Sequence, residues 1–230
     1  MQRDLVDILL AAYRGGAFPM ADTRTGSVYL VDPPRRGVIP LDDPAVPHIP
    51  RSLARTLRAN RFELTTDQAF AEVVGGCAAP RILSGTVEDR TWIADIMVGW
   101  YEELHARGHA HSVEAWRTHR DTGERALVGG VFGVSIGAAF FAESKFHRAR
   151  PRLVDGSRHP LDGTDASKVC LIALIEHLRA CRYAMLDTQF TNPHIARFGV
   201  VEIDADDFRF QLIKAVHQPD RWQELDPRSR

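Results

Sequence analysis

Three polar side chains near the ends of apolar segments could do acid–base or hydrogen-bonding chemistry in this protein. Asp187 and Gln189 are two residues apart in "YAMLDTQF", and Glu143 ends the apolar run "SIGAAFFAES". Residues two apart on a β-strand share a face, so Asp187 and Gln189 are predicted to point the same way from one rigid element. A carboxylate that ends an apolar strand is poorly solvated and tends to find a hydrogen-bond donor. The structural alternatives are a buried hydrogen-bonded pair that holds a loop and, for Glu143, a strand-end charge in water.

Arginines recur at two places where they could bind phosphate. A spacing of four, three and three residues predicts guanidinium groups along one helix face, at Arg51, Arg55, Arg58 and Arg61. The polar loop 148–163 contains a second set, Arg148, Arg150, Arg152 and Arg158. Such sets are either solvated faces or phosphate contacts. The net charge of −1 argues against general nucleic-acid binding but allows a local basic patch.

Histidines cluster between residues 105 and 111, which raises the question of a metal site. His105, His109 and His111 are followed by Glu114, but Gly108 interrupts the predicted helix between them. Their spacing matches no standard zinc pattern, so we expect no metal and no other cofactor. The sequence also has no HExxH or Walker motif, and therefore no recognisable metalloprotease signature or nucleotide-binding P-loop.

The composition and the distribution of prolines indicate the general class of the protein and its domain organisation. Apolar residues make up 44% and charged residues 26% of the 230 residues, which is typical of a soluble globular protein. No apolar run approaches a membrane span, and the first residues lack a small-residue cleavage site, so we expect a cytoplasmic protein without a signal peptide. Many prolines lie before residue 60, which suggests a small N-terminal domain over 1–60 and a second domain over 61–230.

Helix and strand patterns alternate in the second part and predict an α/β fold with a mixed sheet. One helix is expected to begin after Pro50 with Ser52 as N-cap, and another to be capped by Asp67. Two buried helix faces are predicted, formed by Phe70, Val73, Val74 and Cys77, and by Ile93, Ile96, Met97, Trp100 and Leu104. Gly108 should end the second of these helices. The turn "RDTGE" predicts a hairpin between "HSVEAWRTH" and "RALVGGVFGVSIG", whose glycines indicate either tight packing or a ligand channel.

Several stretches of the chain match one family, in the order that the family has them. They are "YRGGAFPM" (13–20), "PRRGVIPLD" (34–42), "TWI" (91–93), "YEELHARGHAHSVEAW" (101–116), "LVGGVFGVSIGAAFFAESKF" (127–146), "ASK" (166–168) and "LDTQFTNPHIARFGVVEI" (186–203). The matching stretches cover nearly the whole chain, and "HSVEAW" and "LVGGVFGVSIG" are long and specific. The sequence therefore resembles the leucyl/phenylalanyl-tRNA–protein transferases.

This resemblance implies a fold, an activity and partners. The implied fold is a small N-terminal domain plus a mixed-sheet C-terminal domain of the acetyltransferase-like (GNAT) type. The implied activity moves leucine, or phenylalanine or methionine, from an aminoacyl-tRNA to the N-terminal amine of proteins that start with Lys or Arg, which marks them for degradation. Because the aminoacyl ester is already activated, the enzyme has to place an amine and remove a proton from it. A monomer suffices for this chemistry, and no membrane is involved.

Site residues carry over motif by motif from the resemblance. Gln189 would assist the attacking amine, Asp187 would orient Gln189, and Glu143 would attract the cationic N-terminus of the acceptor. The implied substrate-binding residues are Trp116, Phe140, Ser144, Lys145, Tyr29 and Leu30. The arginine stripe is the candidate tRNA-binding face.

The sequence departs from the family pattern at two places. Leu30 and Val31 stand where the family has an aromatic pair, and Lys145 stands where it has an apolar methionine. These departures leave the transferred amino acid open.

Two other functions are compatible with the same broad fold. An acyl-CoA-dependent N-acetyltransferase would carry a Gln/Arg-x-x-Gly-x-Gly/Ala loop that grips pyrophosphate through backbone amides, and the sequence has no such string. A non-catalytic module that binds tRNA or a degradation signal would need only a structural role for Asp187 and Gln189.

Overall fold

The computed structural model describes residues 4–83, 86–88 and 91–224. The helices in these residues are α1 (Leu5–Arg14), α2 (Arg51–Arg58), α3 (Phe70–Ala78), α4 (Asp95–Ala106), α5 (Ala166–Ala180), α6 (Pro193–Ala196) and α7 (Ala205–Val216). The strands are β1 (Phe18–Ala21), β2 (Val28–Val31), β3 (Arg35–Ile39), β4 (Glu63–Thr66), β5 (Arg81–Leu83), β6 (Thr86–Glu88), β7 (Ala110–Thr118), β8 (Arg125–Ile136), β9 (Ala139–His147), β10 (Met185–Gln189) and β11 (Val201–Asp204).

A seven-stranded sheet in the order β11-β3-β10-β9-β8-β7-β4 forms the centre of the fold. Strands β9 and β10 are parallel, and the other neighbours in this sheet are antiparallel. The predicted α/β class with a mixed sheet is therefore confirmed. Strands β1 and β2 form a separate antiparallel pair, as do β5 and β6.

Helices cover both faces of the sheet, because most of its strands are apolar on both sides. On one face α1, α3, α4 and α7 surround a core that contains Tyr13, Met97, Phe132 and Phe208. On the other face α5, with α2 against it, encloses Leu53, Val131, Ile172 and Leu186. The strand β3 comes from the first 60 residues but lies inside the sheet, between β11 and β10. A domain boundary near residue 60 stays a prediction, and residues 1–3 and 225–230 lie outside the described residues.

The glycines of β8 face close neighbours within the protein. A Cβ on Gly129 would lie 2.6 Å from Ala166 Cβ of α5, and one on Gly130 would lie 2.8 Å from Val73 Cγ2 of α3. A Cβ on Gly133 would lie 2.2 Å from the carbonyl oxygen of Phe141. These glycines thus allow two helices and a neighbouring strand to approach the backbone, which is the packing alternative and not the ligand channel.

Several local predictions are corrected at the helix ends. The N-cap of α2 is Pro50, with no side-chain hydrogen bond, so Ser52 is not the cap. The N-cap of α3 is Ala69; Asp67 instead has a left-handed backbone with φ of 58° and accepts the backbone N–H of Ser112 at 2.8 Å.

Helix α4 lies where the sequence predicted a helix, but its buried residues differ from the predicted ones. Ile96 is 60% exposed, and Tyr101, which the apolar pattern left out, is 1% exposed. Gly108 follows the helix end with φ of +76°, as a terminating glycine should. The predicted hairpin is confirmed, because β7 and β8 pair on either side of "RDTGE". In the described residues no helix is both long and apolar enough to span a membrane.

Candidate active site

The parallel strands β9 and β10 separate beyond a short paired region, and this opening creates the candidate site. They pair at only three positions, the last of which joins Asp187 to Phe141. Past this point both strands are irregular: β8–β9 pairing shifts register opposite Glu143, and β10–β3 pairing shifts between Asp187 and Gln189. Glu143 and Gln189 therefore each lie two residues past the last paired position of β9 and β10, where a cavity of about 220 Å³ opens.

The Glu143 carboxylate is held by three hydrogen-bond donors in the wall of this cavity. Tyr13 Oη donates to Oε1 at 2.9 Å, Tyr101 Oη donates to Oε2 at 3.0 Å, and Gln189 Nε2 donates to Oε1 at 3.0 Å. Burial raises the pKa of Glu143 to about 8, against the opposing effect of the two tyrosine hydrogen bonds. Burial and the neighbouring carboxylate raise the pKa of both tyrosines, which keeps their hydroxyls protonated as donors.

Asp187 lies beneath the cavity and forms a buried ion pair with Arg36. Arg36 donates through Nε at 3.0 Å and through Nη2 at 2.7 Å, and both side chains are at most 1% exposed. Arg36 also donates to the carbonyl oxygen of Gly16 at 2.6 Å and lies over the rings of Phe18 and Phe208. A charge pair this deep is stable only when its hydrogen bonds are satisfied, which this arrangement achieves.

Asp187 and Gln189 are brought together by a bulge, so the simple alternation argument does not describe their geometry. Gln189 has a left-handed backbone with φ of +59°, and its N–H donates to Asp187 Oδ1 at 2.8 Å. Asp187 therefore contacts the backbone of Gln189, while the Gln189 side chain contacts Glu143. A shared role of Asp187 and Gln189 in one site stays a prediction, and the link between them is a backbone hydrogen bond at a residue with a strained, left-handed conformation.

Four of the candidate site residues line the cavity: Glu143, Gln189, Ser144 and Lys145. Trp92 lines it too, although the sequence pattern gave this residue no role. Apolar side chains from β3, β8, α5 and α6 form much of the remaining wall, namely Ile39, Val131, Leu171 and Ile195. Phe190 and Asn192, which follow β10, complete one side.

The other expected substrate-binding residues do not line this cavity. Phe140 is 1% exposed in the core, stacked against Trp222 at 5.6 Å, so direct contact with a substrate has no support in this geometry. Tyr29 and Leu30 are about half exposed on β2. Trp116 lies on β7, where it lines a second cavity and donates through Nε1 to Thr65 Oγ1 at 2.8 Å.

The predicted arginine stripe holds for three of its four members. Arg51, Arg55 and Arg58 are exposed on α2. The helix ends at Arg58 with Ala59 as its C-cap, and the chain turns at Asn60 with φ of 43°. Arg61 therefore leaves the helix face and has a side chain only 17% exposed.

Tyr13, Arg36, Trp92 and Tyr101 were not predicted as site residues, although each lies in a stretch that carried the resemblance. Tyr101 could have been found from the helical pattern, because it follows Met97 by four residues and precedes Leu104 by three. No comparable signal marks Arg36, since an arginine beside prolines reads as a surface residue.

Two of the three clustered histidines form hydrogen bonds with nearby groups, whereas His109 Nδ1 is buried and has no hydrogen-bond partner among the described residues. His105 Nδ1 lies 2.7 Å from the carbonyl oxygen of Ala110, and His111 Nδ1 lies 2.8 Å from Asp67 Oδ2. Among the described residues, ligand atoms of these two histidines and Asp67 lie within 4.8 Å of one another. Asp67 already accepts from His111, from the Ser112 N–H and from Trp222 Nε1. The absence of a metal therefore stays a prediction, with Asp67, and not Glu114, as the third member of the group.

Comparison with known proteins gives one consistent result. The sequence model of the family described as leucyl/phenylalanyl-tRNA protein transferase matches residues 38–213. A leucyl/phenylalanyl-tRNA–protein transferase of Caulobacter vibrioides (strain NA1000 / CB15N) is 46% identical over 93% of this chain and 87% of its own length. Proteins of the same name from Akkermansia muciniphila and Dinoroseobacter shibae are 42% and 44% identical, over 92% and 91% of this chain and 96% and 81% of their own.

The matched region contains the diverging strands, the glycine-rich β8 and most of the residues that line the cavity. With that coverage, the chain belongs to the leucyl/phenylalanyl-tRNA–protein transferase family, a family of aminoacyltransferases.

Proposed function

We propose that this protein transfers an amino acid from an aminoacyl-tRNA to the N-terminal amine of a protein. The observation that carries the proposal is the contact between Gln189 and Glu143 at the opening between β9 and β10. Membership of the transferase family gives the reaction class, and this opening supplies a cavity with a hydrogen-bonding group and a carboxylate in its wall.

The reaction forms a C–N bond between the amine and the ester carbonyl carbon and breaks the C–O bond to the tRNA ribose. The acceptor amine must lose a proton, and the departing ribose oxygen must gain one. Glu143 is the group that can take the proton, because a base is most effective when its pKa lies near the working pH, and the pKa of Glu143 is raised to about 8. A terminal amine titrates at about 7.7–8.0, so the proton transfer is close to balanced.

Gln189 orients the amine and does not accept its proton, because an amide is not a base at neutral pH. Its Nε2 donates to Glu143, which leaves the amide carbonyl oxygen to accept an N–H of the incoming amine. Asp187 is a positioning residue: it fixes the left-handed turn through the Gln189 N–H and is itself fixed by Arg36. Tyr13 and Tyr101 hold the carboxylate in one rotamer.

The apolar part of the cavity supports leucine, phenylalanine or methionine as the transferred residue. Burial of such a side chain contributes about 1.5–3 kcal/mol, and the wall includes Ile39, Val131 and Leu171. Lys145 adds a cationic side chain to the lining of the same cavity. Glu143 attracts a cationic acceptor when it is ionised. Proteins that begin with Lys or Arg are the proposed acceptors, and degradation of the product is the proposed outcome.

The same geometry supports an acetyltransferase-like fold, because the site lies where two parallel central strands diverge. We include that fold, a cytoplasmic location and a monomeric enzyme in the proposal.

A transfer assay with defined donors tests the function. Purified protein is mixed with leucyl-, phenylalanyl- or methionyl-tRNA and a peptide that starts with Arg, and the mass of the product is measured by mass spectrometry. We expect addition of one amino acid to the peptide N-terminus. Acetylation from acetyl-CoA without aminoacyl transfer would favour the N-acetyltransferase, and tRNA binding without transfer of any kind would favour the non-catalytic module.

A further inference from the structure

We propose that a second cavity, at the edge of the sheet, is a subsite for a backbone phosphate of the donor tRNA. This cavity of about 280 Å³, here named the arginine cavity, is lined by Asn60, Arg61, Glu63, Trp116, Arg117 and Arg120 among others. The inference rests on the proposed function, because it assigns part of the donor substrate to a place outside the catalytic cavity.

Several arginines surround the arginine cavity. Arg61, Arg117 and Arg120 line the cavity, and burial, together with the charge of nearby Arg158, lowers the pKa of both Arg61 and Arg117. The nearby carboxylates are shared among several arginines: Glu63 binds Arg125 at 2.8 Å, and Asp162 binds Arg158 and lies 3.8 Å from Arg61. The cavity therefore has an excess of positive charge at close range, which an anion relieves.

One buried hydrogen-bond donor beside the arginine cavity is unused. Arg61 Nη2 is buried and has no hydrogen-bond acceptor among the described residues; Asp162 Oδ2 is 3.8 Å away, beyond hydrogen-bond distance. A buried donor without an acceptor is costly and rare in native structures, so each instance requires an explanation. A phosphate oxygen at the wall of this cavity would explain it, after a small shift of the guanidinium group.

The neighbouring Arg117 is already held in position. Its Nε donates to the carbonyl oxygen of Pro160 at 2.7 Å, and its Nη1 donates to the carbonyl oxygen of Arg61 at 3.0 Å. Two fixed nitrogens define the plane of the guanidinium group before any ligand arrives, which lowers the entropy cost of binding.

Two parts of Trp116 are already occupied, which leaves the arginines as the main ligand-binding groups of the cavity. The guanidinium of Arg125 lies 3.9 Å from the centre of the Trp116 ring, so one face of the indole is already covered. Its Nε1–H is used by Thr65. Stacking of a base would have to use the other face of the indole, whereas a phosphate needs only the donors and the positive charge of the arginines.

The position of the arginine cavity fits the acceptor end of a tRNA. Through the pairing of β7, β8 and β9, Ser112 is level with Ser144, and Trp116 lies four residues further along β7. Strand β7 is two strands from β9, about 10 Å, and four residues along a strand add about 13 Å. The two cavities are therefore about 16 Å apart, a span of about five stacked nucleotides at about 3.4 Å each.

The experiment compares a full-length donor with a minimal one. Wild type, Arg61→Ala and Arg120→Ala are assayed with leucyl-tRNA and with a 3′-leucylated adenosine, which is too short to reach the arginine cavity. We expect KM for leucyl-tRNA to rise about fivefold to tenfold in each variant, and the slope of log KM against log salt to fall by about one. The minimal donor should react as in wild type.

Two controls separate the outcomes. Lys214→Ala removes the same charge from an exposed position on α7 and should leave both donors unchanged. Arg117→Lys keeps the charge without the fork geometry and should have an intermediate KM for leucyl-tRNA. Equal losses with both donors, or no loss with either, overturn the subsite. Failure of wild type to use any donor instead defeats the proposed function.

Inorganic phosphate distinguishes a tRNA phosphate from a free anion. It should inhibit the reaction of leucyl-tRNA competitively in wild type, and less in Arg120→Ala. If inorganic phosphate inhibits wild type more strongly than Arg61→Ala or Arg120→Ala, but these variants keep a wild-type KM for leucyl-tRNA, the cavity binds a free anion and the proposal is wrong.

Discussion

The side-chain amide of Gln189 donates to Glu143 Oε1 at 3.0 Å across the opening between two parallel strands. Gln189 is the residue of β10 that has a left-handed backbone. Glu143, in the cavity wall, also accepts hydrogen bonds from the buried side chains of Tyr13 and Tyr101.

Shortening the Gln189 side chain should lower activity without unfolding the protein. Gln189→Asn keeps an amide and tolerates the left-handed backbone, but it is one methylene too short to reach Glu143. We expect kcat/KM to fall about 10²–10³-fold, the usual effect of losing one preorganised hydrogen-bonding group. Gln211→Ala, at an exposed position on α7, is the control and should keep wild-type rates. Wild-type turnover in Gln189→Asn would remove Gln189 from the mechanism.

The pH dependence of transfer should report Glu143. Because Glu143 must be ionised to accept a proton and its pKa is about 8, kcat/KM should rise as pH increases toward 8 and then level off. The terminal amine titrates in the same range, so the profile is repeated with an acceptor amine of lower pKa. We expect the midpoint near 8 to persist with that acceptor and to vanish in Glu143→Gln. A midpoint that follows the acceptor would assign the titration to the substrate.

Stability should depend on pH through the same group. The pKa of Glu143 is about 8 in the folded protein and about 4.5 when unfolded, so the folded state binds more protons between these values. The contribution of Glu143 to the free energy of unfolding is therefore fully present below about pH 4.5 and declines as pH rises to about 8. Denaturation of wild type and Glu143→Gln at pH 5, 7 and 8.5 measures it. The difference should shift in favour of the variant as pH rises, and a constant difference would contradict the assignment.

Removing Asp187 should destabilise the fold as well as the site. Asp187→Ala leaves the buried Arg36 without its partner, which costs about 3–5 kcal/mol in the free energy of unfolding. The exposed pair formed by Arg35 and Asp204 is a matched control on the same strand, and Asp204→Ala should cost at most about 1 kcal/mol. Urea denaturation gives both values. Equal effects of the two substitutions would show that the Arg36 pair is not the support we describe.

The exposed arginines of α2 should contribute to tRNA affinity. Arg55→Ala combined with Arg58→Ala should weaken binding of uncharged tRNA and reduce the slope of log affinity against log salt by about two. The measurement is a binding titration at several salt concentrations. An unchanged slope would identify these side chains as an ordinary solvated face.

The sequence predicted much of this architecture because its signals are local. Apolar periodicity located most helices of the core, and the turn "RDTGE" located the longest hairpin. Glu143 and Gln189 were recognised because a polar residue inside an apolar run is conspicuous without any knowledge of its neighbours. The stripe on α2 failed at Arg61 because the chain leaves the helix at Asn60, and helical spacing carries no information about where a helix stops.

The parts that were missed depend on contacts between distant segments. Tyr13 reaches Glu143 across 130 residues, and Arg36 reaches Asp187 across 151. Nothing near Arg36 in the sequence marks it as buried, because its counter-charge is supplied only when β3 enters the sheet. The bulge at Gln189 is equally non-local, since the register shift is defined by the partner strand.

The insertion of β3 between β10 and β11 has a consequence for synthesis of the protein on the ribosome. The strand that carries Arg36 is made early, yet both of its neighbours belong to the last part of the chain, up to Asp204. Joining them closes a long loop, which is entropically costly and slow compared with the local β7–β8–β9 meander. A nascent chain can thus form most of its sheet before β3 and Arg36 are in place. The active site can therefore be completed only after nearly all of the polypeptide has left the ribosome.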